Sequence, residues 1–61
     1  MDVLDTKAVR REVGGTKPIH QSTLYRLIRR GLLPRPIKVG GSSRWVRSEI
    51  EAALAALAVR R

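Results

Sequence analysis

The chain has no cysteine and no phenylalanine, and only one Trp, one Tyr and one His among its 61 residues. Without cysteine there are neither disulfides nor thiolate metal sites, and a reducing, intracellular location is the expectation. His20 has no Cys or carboxylate close to it in the sequence, so no metal ligand set forms around it and no cofactor is expected. Long apolar runs are missing as well. No window approaches a membrane span, and the opening MDVLDTKAV has no apolar core of the kind a signal peptide carries, so a soluble, cytoplasmic protein is expected. The most informative shortage is of acids: no Asp or Glu occurs between Val13 and Ser48. A chain of this length forms one domain, residues 1–61, with a single small core and a thin stability margin.

What is present is mostly basic. The formal net charge is +8 and the isoelectric point about 11.6, an imbalance that implies a polyanionic partner, either nucleic acid or an anionic membrane surface. The acid-free span holds Lys17, Arg26, Arg29, Arg30, Arg35, Lys38, Arg44 and Arg47, while the acids sit at Asp2, Asp5, Glu12, Glu49 and Glu51. A face that is merely solvated normally mixes both signs.

Periodicity and breakers divide the chain into a mainly helical fold with a small hairpin. Asp5 or Thr6 is placed to cap a first helix running to about Val13, with Leu4, Val9 and Val13 inward and Arg10 and Arg11 outside. Gly14 and Gly15 stop it, and GGTKPIH is a turn in which Ile19 is placed to plug the space between helices and His20 to cap the next one. In the second helix Leu24, Leu27 and Ile28 form an apolar stripe. Ser22, Arg26 and Arg29 lie opposite, flanked by Tyr25 and Arg30. Gly31 then supplies the positive φ of a helix stop, with Leu32 placed to touch Leu27, so the helix is expected to end at Arg30.

LLPRP contributes two core leucines and a stiff corner. Ile37–Val39 and Arg44–Val46 read as short strands joined by Gly40, Gly41, Ser42 and Ser43. Trp45 is expected in the core, the alternative being a platform for base stacking, which usually needs aromatics in groups. Ser48 and Glu51 match a capping box that opens a third helix to about Val59, with Ile50, Leu54 and Leu57 inward and Arg60 and Arg61 complementing its dipole. Glu49 and Glu51, two apart on that helix, point in different directions and make a poor catalytic pair. No enzyme is expected.

The order helix, turn, helix, hairpin, helix, together with S-T-L-Y-R, G-L-L-P-x-P, I-K-V-G and R-W-V followed by S-E-I, resembles the AlpA family of prophage regulators. It also resembles related excisionase-type domains of the MerR-like winged helix-turn-helix group. The resemblance covers roughly residues 4 to 57 and implies a helix in the major groove of double-stranded DNA with a wing over the backbone or minor groove. On that basis Gln21, Ser22, Arg26 and Arg29 would face base edges. Lys17, Thr23, Tyr25, Arg30, Lys38 and Arg44, with Ser42 and Ser43 of the hairpin, would lie along phosphates. The same resemblance implies a bacterial or phage-encoded transcriptional regulator or excisionase, with an integrase or recombinase as partner and self-association on DNA.

The chain departs from the family in GGTKPIHQ, a few residues longer than its usual tight turn. Neither a MerR-type dimerising coiled coil nor an effector domain is visible. Two other classes share some of these features: an adaptor of a phage or recombination complex, and a basic membrane-active peptide. The peptide would not need a glycine-stopped helix, a wing and a capping box.

Overall fold

Asp5 begins the first helix: its backbone is extended, and its Oδ1 accepts the Ala8 N–H at 2.8 Å. This supplies one of the partners that the first turn of a helix lacks. In the computed structural model, which describes residues 2–59, the elements are β1 (Val3–Leu4), α1 (Thr6–Gly14), α2 (Gln21–Arg29), β2 (Ile37–Val39), β3 (Ser42–Val46) and α3 (Arg47–Val59). The strands form one antiparallel sheet in the order β1-β3-β2. This is a mainly α fold with a small β-hairpin, compatible with a winged helix.

The central strand organises the core. Trp45 on β3 pairs with Leu4 on β1, is 1% exposed, and donates its indole N–H to the Pro34 carbonyl at 3.0 Å. Burial gives the ring its apolar contacts and the carbonyl satisfies its one polar group. A buried indole offers no face for a base, so the stacking alternative falls. Around it lie Leu4, Val9, Leu24, Leu33 and Ile50, with Ala8, Val13, Ile19, Leu27, Ile28, Ala53 and Leu54 packed partly buried against them. Each fully buried aliphatic side chain contributes about 1.5–3 kcal/mol through area removed from water.

The stop after α2 forms as expected. Gly31 has φ +76°, its N–H donates to the Ile28 carbonyl at 3.0 Å, and the Leu32 N–H donates to the Leu27 carbonyl at 3.0 Å. These two bonds constitute a Schellman cap around Arg30. The helix proper closes at Arg29, with Arg30 as its C-cap.

Several expectations are corrected. Leu4 packs inward from β1, a strand too short to show a period in the sequence, and not from the first helix. The hairpin loop is only Gly40-Gly41, since Val39 faces Ser42 and Lys38 faces Ser43 across the ladder. Both glycines have positive φ, 59° and 84°, as a two-residue type I′ turn requires. Of the two leucines before the corner, only Leu33 reaches the buried core, while Leu32 stays half-buried. Leu57 is also half-buried and outside the core cluster.

The third helix begins at Arg47, which puts Ser48 inside its first turn and not ahead of it. The Arg47 N–H donates instead to the Asp2 carbonyl at 3.0 Å, and the Arg47 Nε pairs with the Asp2 carboxylate. A backbone partner from the N-terminal segment thus takes over a task expected of a cap. Arg60 and Arg61 lie outside the described residues.

The cap at Gly31 generates a prediction. No atom outside its immediate neighbours lies within 4 Å of a Cβ built there, so any cost of substitution comes from the positive φ. Gly31→Ala should lose about 1–2 kcal/mol, and Gly31→Val more, because a β-branched residue tolerates that region worst. A thermal melt is the check: both variants should melt lower in that order, and an unchanged midpoint would mean that the cap carries no strain.

Candidate nucleic-acid interface

The apolar stripe of α2 is engaged in the core: Leu24 is fully buried, and Leu27 and Ile28 are packed against it. At 100° per residue this fixes which side faces water. Gln21, Ser22, Arg26 and Arg29 are exposed, as is Arg30 at the C-cap, while Thr23 and Tyr25 at the border are half-buried. Lys17 is exposed on the connection between α1 and α2. His20 occupies the N-cap position of α2, but its side chain makes no capping bond.

The hairpin of β2 and β3 is the second basic surface. All three residues of β2 are exposed, including Ile37 at 41% and Val39 at 49%. An exposed hairpin strand beside a helical core is compatible with a wing. The Lys38 ammonium donates to the Ser43 hydroxyl at 3.2 Å, and the Arg44 guanidinium donates to the Ser43 carbonyl at 3.0 Å. Ser42 is exposed; Ser43 and Arg44 are half-buried. As strand residues, Ser42 and Ser43 occupy opposite faces of the ribbon, because successive side chains alternate.

Among the described residues, the charge on these surfaces has no carboxylate partner. Among the described residues the one ion pair joins Arg47 to Asp2, and Asp5 is engaged in capping α1. Among those residues, none of Lys17, Arg26, Arg29, Arg30, Arg35, Lys38 and Arg44 has a carboxylate within ion-pair distance. Unpaired cations on a helix face and a wing can approach phosphates without first breaking a salt bridge.

Arg35, counted with the acid-free span, is exposed at the proline corner. One arginine departs from the sequence reading. Arg10, expected to point outside, is half-buried, and its Nε donates to the Ile19 carbonyl at 2.7 Å. A periodicity argument cannot find that bond, since a turn brings the acceptor back over the helix.

Elsewhere, an open apolar groove of about 230 Å³ is lined by Val13, Leu54, Leu57 and Ala58. Among the described residues no group of three or more His, Cys, Asp or Glu side chains is arranged to hold a metal ion. No helix there is long and apolar enough to cross a membrane.

Among the described residues, three helices, a short sheet and an exposed basic hairpin define the class, a small winged helix. The chain belongs to the AlpA family of prophage regulatory proteins: the family profile described as prophage CP4-57 regulatory protein (AlpA) matches residues 8–55, from α1 into α3. No curated protein and no solved structure matches it.

The wing's turn is testable in isolation from any ligand. Asn tolerates the left-handed conformation and is favoured at the first position of a type I′ turn, so Gly40→Asn should keep the ladder. Gly40→Val should splay it. The check is the NMR contacts across Lys38/Ser43 and Val39/Ser42, which should survive in the first variant and weaken in the second.

Proposed function

We propose that this protein binds double-stranded DNA sequence-specifically, with α2 in the major groove and the β2–β3 wing along the backbone or minor groove. The observation that carries this reading is the two-sided α2. Its apolar face is held by the core, and its opposite face presents Gln21, Ser22, Arg26 and Arg29 to solvent from a stretch of chain without Asp or Glu. Arg pairs with guanine and Gln with adenine through two hydrogen bonds each, so Arg26 and Gln21 supply base readout. Lys17, Thr23, Tyr25, Arg30, Lys38, Ser42, Ser43 and Arg44 fix register on phosphates without reading sequence.

Membership of a prophage regulatory family supports a role in an integrated element, as transcriptional regulator, as excisionase, or as both. In the excisionase role the protein partner would be an integrase or recombinase, for which a second, DNA-bending protein sets the direction of recombination. One module of this size covers roughly 600–1,000 Å² and a few base pairs, so tight specificity requires several copies on neighbouring repeats. A net charge of +8 opposes association in free solution, and DNA phosphates relieve that repulsion. The protein is therefore monomeric when free and self-associates on DNA.

Two outcomes test this. Arg26→Ala should cost about 1–3 kcal/mol on the specific site and relax base preference, whereas Lys38→Ala should weaken specific and random duplexes alike. Titration of both variants against both duplexes is the check, and equal losses for Arg26→Ala would remove it from readout. For about 4 to 6 phosphate contacts per copy, the log-log dependence of affinity on salt should have a slope near −4 to −5 per copy. Sedimentation of the free protein, followed by gel shifts on one, two and three repeats, tests assembly. A stable dimer without DNA, or per-site affinity independent of repeat number, would contradict it.

A further inference from the structure

The connection between α1 and α2 is long, yet its two ends are tied together. The Ile19 N–H donates to the Arg10 carbonyl at 3.1 Å, and the Arg10 Nε donates back to the Ile19 carbonyl at 2.7 Å. One residue of α1 thus holds both polar groups of Ile19. Residues 15–18 are all exposed outside this closure. Gly14, one turn after Arg10 and on the same face of α1, completes it: a Cβ built there would sit 2.9 Å from the Ile19 nitrogen. Glycine is required so that the Ile19 backbone can lie against the helix.

Ile19 is the last residue before the cap of α2. His20, whose side chain makes no capping bond, follows directly, and its carbonyl accepts the Leu24 N–H at 3.0 Å as the helix begins. A displacement of the Ile19 peptide therefore passes through a single residue to the start of α2, where Gln21 and Ser22 stand. We propose that Arg10 is a positioning residue: by holding the Ile19 peptide against α1, with Gly14 leaving room for it, Arg10 sets where α2 begins and how its exposed face is presented. This rests on the reading of α2 as the helix that reads DNA.

Two variants disturb the same peptide by opposite means. Arg10→Met keeps the apolar stem and removes the donor. Gly14→Ala keeps every charge and pushes the Ile19 nitrogen away. A control, Gly15→Ala, introduces strain at φ +76° with no atom within 4 Å of the new Cβ, and so costs stability without touching Ile19. Measurements are made well below each melting midpoint.

Both Arg10→Met and Gly14→Ala should shift the free protein's amide resonances at Gln21, Ser22 and Thr23, and should lower the ratio of specific to random duplex affinity about tenfold. The salt slope should stay at the wild-type value. Gly15→Ala should leave the resonances and the ratio as they were. A loss for Arg10→Met on both duplexes equally, with the slope reduced by about 0.9, would make Arg10 a phosphate contact and overturn the proposal. Unmoved Gln21–Thr23 resonances in the two variants would overturn it as well, and so would an equal fall of the ratio in Gly15→Ala. Failure of the unaltered protein to bind either duplex would instead sink the DNA-binding reading, and the amide shifts would still decide whether Arg10 positions α2.

Discussion

Burial of the Trp45 indole is the interaction on which the rest of this small structure depends. The ring sits on the central strand, faces Leu4 across the ladder, and is fastened to the proline corner through the Pro34 carbonyl. In a chain with no phenylalanine it is the largest apolar side chain available, and the fully buried Val9, Leu24 and Ile50 are all much smaller. Domains of this length bury a modest share of their surface and keep a narrow margin. One large ring held on three sides therefore does more here than it would in a larger core. It joins the N-terminal strand, the corner after α2 and the strand that leads into α3.

That arrangement leaves the charged elements outside it. Core formation uses the apolar stripe of α2 and the inner face of β3, so the opposite face of α2 and the residues of β2 stay exposed. Because no carboxylate occurs between Val13 and Ser48, nothing local neutralises them. The exposed ion pair of Arg47 with Asp2 adds little to stability, since such pairs are worth about 0–1 kcal/mol. Its backbone companion, the Arg47 N–H to the Asp2 carbonyl, matters more to the architecture because it joins the start of the chain to the start of α3. Helix stops at Gly15 and Gly31 and the Gly40-Gly41 turn all use positive φ, so the basic surfaces are bounded by turns that glycine makes without strain.

Much of this was legible in the sequence, and the reason is range. The stripe of Leu24, Leu27 and Ile28, the Schellman cap at Gly31 and a cap at Asp5 or Thr6 are set by residues within about one helical turn of each other, where propensity and sterics decide, whereas the hairpin was legible only as a longer loop, Gly40 to Ser43, which cross-strand pairing shortens to Gly40-Gly41. The charge imbalance needs no structure at all, and neither does the family resemblance, which the profile match over residues 8–55 bears out. Placement of Trp45 in the core followed from its being alone, without the aromatic neighbours that a base-stacking surface uses.

The remaining features depend on contacts between distant residues. β1 is two residues long and has no period to detect; it exists because β3 offers it an edge. Ser48 was a reasonable cap by spacing, but a segment from the other end of the chain satisfies the Arg47 N–H and lets α3 begin before it. Arg10 belonged outside by helical angle, until the turn returned the Ile19 carbonyl to meet it. By itself the sequence determined the helices, their stops, the sign and distribution of charge and the family, because each is written in neighbouring residues or in composition. Only the tertiary structure decided the third strand, the start of α3 and the tie that precedes α2, because a backbone donor or acceptor takes whichever partner the fold brings within reach.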